Sequence, residues 1–357
     1  MKSKTVVTLA IVLLLPFPAS AFLLEGEEII EYWQGDKLVT TTPFQESQRW
    51  GNIEAFAQGV GHISIQNQKY ESISTAALIA PDLLLTCAHS LSVAASDAKK
   101  IFNVTINGRL YTREIINISL PRDAAFGELG DIAIGQLSAP IKMASYLPLT
   151  TIDIRQAIRR MINKNDKPQF IGVSAGELRK NGNYFNESID CRHIGIFSLK
   201  QTSYGELLTS TFRLPDTYNH NLYEHCFQTS AFMPVFDYGY QQKHFPLRNG
   251  LHACLQAGDS GGPLMANFEG ISQIVGVASG QTINDDYAIA QIINEDNTNI
   301  HSTQAGDNIS PLFYQPGSKF ENHWTPINNY GPSIKEILHY YNALNYQPYF
   351  KQSLLSS

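Results

Sequence analysis

The chain has 357 residues, of which 16% are charged and 11% aromatic, and a formal net charge of −6. That length supports one large domain or two modest ones around a substantial buried core. Without a basic block the sequence does not suit nucleic-acid binding, and its aromatic content does not suit disorder.

Residues 1–21 read as a targeting segment. Lys2 and Lys4 form a positive start, Val6 to Leu15 an apolar centre, and Ala19-Ser20-Ala21 a small-x-small cleavage site. A membrane anchor is the alternative, but the apolar run is short for a span. The expectation is a soluble protein, secreted or periplasmic once the segment is removed, with no membrane in its mature form. Export places Cys87, Cys191, Cys226 and Cys254 in an oxidising compartment, where a disulfide bond is expected; four cysteines allow three full pairings, and spacing does not choose among them. No C-x-x-C spacing occurs, so a cysteine metal site is not expected; no cofactor is expected.

Residues 22–49 form a polar N-terminal segment without a strong period. Beyond them short strand-like runs recur: Val60 to Ile65, Ala76 to Ile79, and Leu83 to Thr86 after the turn signal Pro81-Asp82. Phe102 to Ile106 and Leu110 to Ile115 flank Asn107-Gly108, a strong hairpin signal. Ile132 to Leu137, Gln169 to Val173, Ile194 to Leu199, Leu207 to Phe212 and Ile274 to Ala278 have the same character. So many short strands predict an all-β sandwich or a pair of barrels. Residues 281–323, rich in Asn, Asp and Gln, read as a long surface insertion. Ile334, Ile337, Leu338, Tyr341 and Leu344 share one helical face behind Pro332, which predicts a C-terminal helix over 333–344, with 346–357 as a tail.

Three short motifs carry chemistry. Leu83 to His89 is an apolar strand ending in small residues, which delivers an imidazole from a buried strand end to the surface. Asp131 opens Asp131-Ile132-Ala133-Ile134, and an acid leading into a buried strand is costly unless paired. Asp123, in the preceding loop, is the other candidate acid. Gly258-Asp259-Ser260-Gly261-Gly262-Pro263 reads as a nucleophile loop. Its glycines permit positive φ and close approach, and the Gly258 and Ser260 amides suit an oxyanion hole. A serine hydroxyl needs an adjacent base, and the base an orienting partner. An esterase reading of Gly-x-Ser-x-Gly would require the order Ser, Asp, His, which this chain reverses.

Thr86-Cys87-Ala88-His89, Asp131-Ile132-Ala133-Ile134 and Gly258 to Pro263, in that order, resemble the trypsin/chymotrypsin family of serine peptidases. Thr75 to Pro81, Gly276 to Gly280 and Trp324 to Tyr330 extend the resemblance over roughly residues 50–345. It implies two six-stranded antiparallel β-barrels, about 50–150 and 165–330, with the cleft between them and a C-terminal helix. It implies a secreted endopeptidase acting on protein or peptide substrates through an acyl-enzyme, with His89 as base, Asp131 as its orienting acid and Ser260 as nucleophile. Asp259 and Ser279 take supporting roles, and Cys254 and Gly280 substrate-binding ones. A catalytically silent homologue acting as a binding module is the alternative.

The chain also departs from the family. Ser90 replaces the cysteine that usually follows the histidine, and its partner position near Ser74 also lacks one, so Cys87 is expected to be a free buried thiol. Cys254 stands where the S1 pocket usually carries its specificity residue; Asp285 or Asp286 would be another source of pocket charge. No Ile-Val-Gly-Gly start occurs. Ile29-Ile30 is the nearest equivalent, so a zymogen cut between residue 22 and about residue 50 by an activating protease is expected, its new amine pairing with Asp259.

Overall fold

A computed structural model describes residues 23–24, 30–34, 37–41, 57–66, 71–92, 98–124, 130–154, 156–157, 169–175, 192–201, 208–213, 253–255, 258–268, 271–283 and 319–352. The expected targeting segment, Cys191, Cys226, Asp285, Asp286 and the centre of the expected insertion lie outside the described residues.

The N-terminal strands are β1 (Leu23–Leu24), β2 (Ile30–Gln34) and β3 (Lys37–Thr41). Six strands then close into an antiparallel barrel: β4 (Val60–Gln66), β5 (Glu71–Ala80), β6 (Leu83–Thr86), β7 (Lys99–Ile106), β8 (Arg109–Ser119) and β9 (Ala133–Leu137), paired in the order β4-β5-β6-β9-β8-β7. Alternation builds it. Ile63, Ile65, Ala76, Leu78, Leu84, Phe102, Val104 and Ala133 are buried in one core cluster. The β7–β8 turn has φ of 51° at Asn107 and 73° at Gly108, the left-handed pair that a two-residue hairpin of matching twist requires.

The second half contributes β10 (Gln169–Ser174), β11 (His193–Gln201), β12 (Leu208–Arg213), β13 (Ala253–Cys254), β14 (Pro263–Phe268), β15 (Ile271–Ile283) and β16 (Lys319–Pro326). Six of them pair antiparallel in the order β10-β11-β12-β16-β15-β14, and β10 meets β14 through Ile171↔Met265 and Gly172↔Leu264. Inside this sheet Trp324 packs edge-on against Phe197, with centroids 4.8 Å apart at 74°. A second core cluster joins the two sheets. Ile79, Leu83, Leu85, Ile132 and Ile134 pack with Ile171, Val173, Met265, Ile274 and Val277. Burial of this size is the main stabilising term of the assembly.

The C-terminal helix α2 runs Gly331–Tyr340 (α1, Ala88–Ser92, precedes it in the chain) with Pro332 in its first turn, and it ends before the expected 344, in a turn where Asn342 has φ of 55°. Ile334 and Leu338 are fully buried, and Ser119 Oγ lies 3.1 Å from Tyr341 Oη, so the end of the chain folds back onto the first barrel.

Two expectations need correcting. The insertion 281–323 is bounded by sheet: β15 extends to Ile283 and β16 begins at Lys319, with Ile283 paired to Phe320. The tail is packed. Buried Gln347 accepts from Leu149 N at 2.7 Å and donates to Ile79 O at 2.7 Å and Leu147 O at 3.0 Å, and helix α3 (Pro348–Gln352) buries Phe350. One polar residue thereby satisfies two backbone groups of the connection between the sheets and one of β5.

Candidate active site

His89 sits in the single turn of α1, just past the end of β6. Asp131 lies two residues before β9, which pairs with β6 from Leu83↔Gln136 to Thr86↔Ala133. Adjacent strands therefore carry base and acid to the same edge of the barrel. Asp131 is fully buried, and its carboxylate accepts from His89 N at 2.8 Å (Oδ1), from His89 Nδ1 at 2.5 Å (Oδ2) and from Ser279 Oγ at 3.0 Å (Oδ2). Three donors explain how a buried carboxylate is tolerated. The expected supporting role of Ser279 has this contact behind it. Ser279 lies at a register break in β15 between Ala278 and Gly280, which redirects its side chain. Asp123, the other candidate acid, is exposed with φ of 67°, and its side chain makes no hydrogen bond among the described residues.

The serine loop hangs between β13 and β14 and docks on the first barrel. Thr75 N, in β5, donates to Ser260 O at 2.8 Å, and Thr75 Oγ1 donates to Gly258 O at 2.8 Å. Thr86 Oγ1 donates to Thr75 O at 2.8 Å, tying this dock to the strand that leads to His89. Gly261 has φ of 86°, and a Cβ there would lie 2.0 Å from Thr86 Oγ1 and 2.2 Å from Thr75 O. The glycine is therefore required twice, by backbone conformation and by close approach. Buried Asp259 accepts from Ser174 Oγ at 2.5 Å, and its carbonyl accepts from Gly262 N at 2.8 Å. The loop thus has an internal polar anchor. Ile30, expected near a new N-terminus, pairs with Thr41 in the β2–β3 hairpin.

Among the described residues neither the Gly258 nor the Ser260 amide donates a hydrogen bond, and the Ser260 hydroxyl makes none. The loop is held through its carbonyls, through Asp259 and through the Gly261 amide, which donates to Ala278 O at 2.8 Å, and this leaves the Gly258 and Ser260 amides and one hydroxyl uncommitted. Gly280 pairs with His323, and Cys254 pairs with Leu23 in the short β13–β1 ladder.

Sequence reasoning missed one neighbour of the imidazole. Cys87 is a free, fully buried thiol, as expected, but its Sγ lies 3.7 Å from His89 Nε2 and 2.7 Å from Ser90 Oγ. The ring nitrogen that would face a serine thus also faces a thiol. Burial lowers the His89 pKa; the charge of Cys87, the hydrogen bonds with Asp131 and Cys87, and the charge of Asp131 outweigh it and raise the pKa to about 11. Cys87, His89 and Asp131 each offer one ligand atom, all within 4.8 Å of one another, so this group is also the candidate metal cluster among the described residues. No sequence spacing announces it, because Cys87 and His89 meet through the turn from β6 into α1.

Among the described residues no helix is long and apolar enough to cross a membrane. No protein-family model matches the chain, and no curated protein matches it either.

Proposed function

We propose that this chain is a serine endopeptidase of the trypsin/chymotrypsin type, its two six-stranded sheets acting as two barrels with the substrate cleft between them. The observation that carries the reading is the docking of the Ser260 loop on Thr75 of β5, which Thr86 ties to the strand that delivers His89, while Asp131 holds the imidazole from behind and is itself held by Ser279.

In this mechanism Asp131 keeps the His89 Nδ1 proton in place, and Nε2 becomes the acceptor once the ring has lost its second proton, which the raised pKa moves to alkaline pH. Ser260 Oγ transfers its proton to Nε2 and attacks a peptide carbonyl. The uncommitted Gly258 and Ser260 amides receive the developing oxyanion. The imidazolium then protonates the leaving amine, and water, activated by the same nitrogen, releases the acyl group. Secretion, cleavage by an activating protease and the S1 roles of Cys254 and Gly280 belong to the same proposal. N-terminal sequencing of active protein tests the activation step: a start at Phe22 would rule out a later cut.

One observation favours a second reading. His89 Nε2 faces Cys87 Sγ, and the Ser260 hydroxyl makes no hydrogen bond among the described residues. A silent homologue acting as a binding module would tolerate that arrangement. Digestion of a peptide library separates the two. The peptidase reading expects discrete cleavage sites that vanish in Ser260→Ala, and the same products from both proteins would overturn it.

A further inference from the structure

The proposed mechanism has no use for Cys87, yet this thiol is placed against the atom on which that mechanism depends. Asp131 fixes the Nδ1 side of His89 at 2.5 Å, which leaves Nε2 as the ring's ligating nitrogen in its neutral form. Cys87 Sγ stands 3.7 Å from that nitrogen. A tetrahedral zinc ion about 2.3 Å from sulfur and about 2.0–2.1 Å from nitrogen spans roughly 3.5 Å between the two ligand atoms. The observed separation therefore suits one bridging ion with little movement of either side chain. Behind the imidazole, Asp131 accepts the other ring N–H, as in the carboxylate–histidine–metal arrangement that orients a ligand and raises its basicity. The His89 side chain is 27% exposed, so an ion has a route from solvent.

We infer that Cys87 and His89 form a binding site for a single thiophilic divalent cation of the zinc class, with Asp131 supporting it, and that occupancy switches the proposed peptidase off. On binding, the proton held by the Cys87 Sγ–His89 Nε2 pair leaves to solvent, and a sulfur–metal and a nitrogen–metal bond form in its place. The His89 Nε2 lone pair is then held by the metal and is no longer available to Ser260. The switching step rests on the peptidase reading, whereas the binding site does not.

The full-length protein, freed of metal with a chelator and then desalted, is titrated with Co2+ as a spectroscopic stand-in. One equivalent should produce a thiolate-to-cobalt charge-transfer band that Zn2+ removes. Cys87→Ala should lose the band, as should the nearly isosteric Cys87→Ser, which guards against a packing defect; circular dichroism checks both folds. His89→Ala should weaken binding by about tenfold or more. No band in the wild type, or a band that survives in both Cys87 variants, overturns the site. In parallel, Zn2+ should block fluorophosphonate labelling of wild-type Ser260 and a chelator should restore it. A Cys87-dependent band without labelling in chelator would leave the metal site standing and overturn the peptidase; labelling in chelator that Zn2+ does not slow would overturn the switch.

Discussion

His89 is fixed through its side chain, whereas Ser260 is fixed through its backbone. The imidazole has Asp131 on one nitrogen and Cys87 near the other, and its main-chain amide binds the same carboxylate. Ser260 is held by its carbonyl on Thr75 N, by the Gly258 carbonyl on Thr75 Oγ1 and by the left-handed Gly261, with its hydroxyl uncommitted. A base must keep one tautomer and one orientation, so side-chain partners are needed. A nucleophile must keep its hydroxyl available, so the restraint falls on the chain around it. The contrast makes separable predictions: substitutions around His89 should change rate and pH dependence, and those around Ser260 should change stability as well.

The largest expected effect follows loss of the acid. Asp131→Asn should lower the rate of acylation by about ten-thousandfold with little change in fold, as in the trypsin-type triad from which the magnitude is carried over. Single-turnover kinetics check it, and a mild loss there beside a severe one in Asp123→Asn would move the acid to the exposed loop. Next comes the serine loop. Gly261→Ala should cost roughly 2–4 kcal/mol, because its Cβ meets a backbone carbonyl and its φ is strained for any L-residue. Urea unfolding measures it, and a stable variant would show that the dock on Thr75 and Thr86 is not formed. Ser279→Ala should be milder, slowing acylation about tenfold by removing one of three donors to a buried carboxylate while leaving the other two.

Two pH experiments sharpen the contrast further. In chelator, Cys87→Ala removes contributions that raise the His89 pKa, so the acid limb of kcat/KM should move to lower pH. An unshifted limb would mean that Asp131 alone sets the base. The stability that His89 gains from its partners is fully present below its ordinary 6.5 and is lost as pH rises toward about 11. Elsewhere the sign is opposite. Burial lowers His62, in the first barrel, to about 4, and His193, in the second sheet, to about 3. Both are neutral in the fold and protonated more readily when unfolded. Their contribution is present above pH 6.5 and lost as pH falls from 6.5 through those values. Chemical denaturation across pH 3–7 should show stability rising with pH, and a flat profile would contradict the burial of both rings.

Much of this architecture was legible in the sequence because period-two alternation and turn chemistry are local. Ile63 and Ile65, or Asn107-Gly108, declare strand and hairpin within a few residues. The strand β16 was hidden because its inward positions are not all apolar. Buried Asn322 accepts from Leu255 N at 2.8 Å and buried Thr325 interrupts the pattern, so the stretch before Trp324 read as the end of an insertion. Strand β14 was missed because it begins at Pro263, within the serine motif itself. At the candidate site, the pairing of His89 with Asp131 was legible from residue type, order and flanking sequence. The approach of Cys87 to Nε2 was not, since it depends on how one helical turn orients two side chains. The anchoring of Asp259 by Ser174, 85 residues away in sequence, was hidden for the same reason: it exists only once β10 lies beside the loop.

The most direct test of the central claim is covalent labelling of the chelator-treated protein with a fluorophosphonate, with the adduct located by mass spectrometry. A single adduct on Ser260, absent in Ser260→Ala and strongly slowed in His89→Ala, is the result the account predicts. A folded, metal-free protein that takes no label at Ser260, or takes it equally fast without His89, would contradict it.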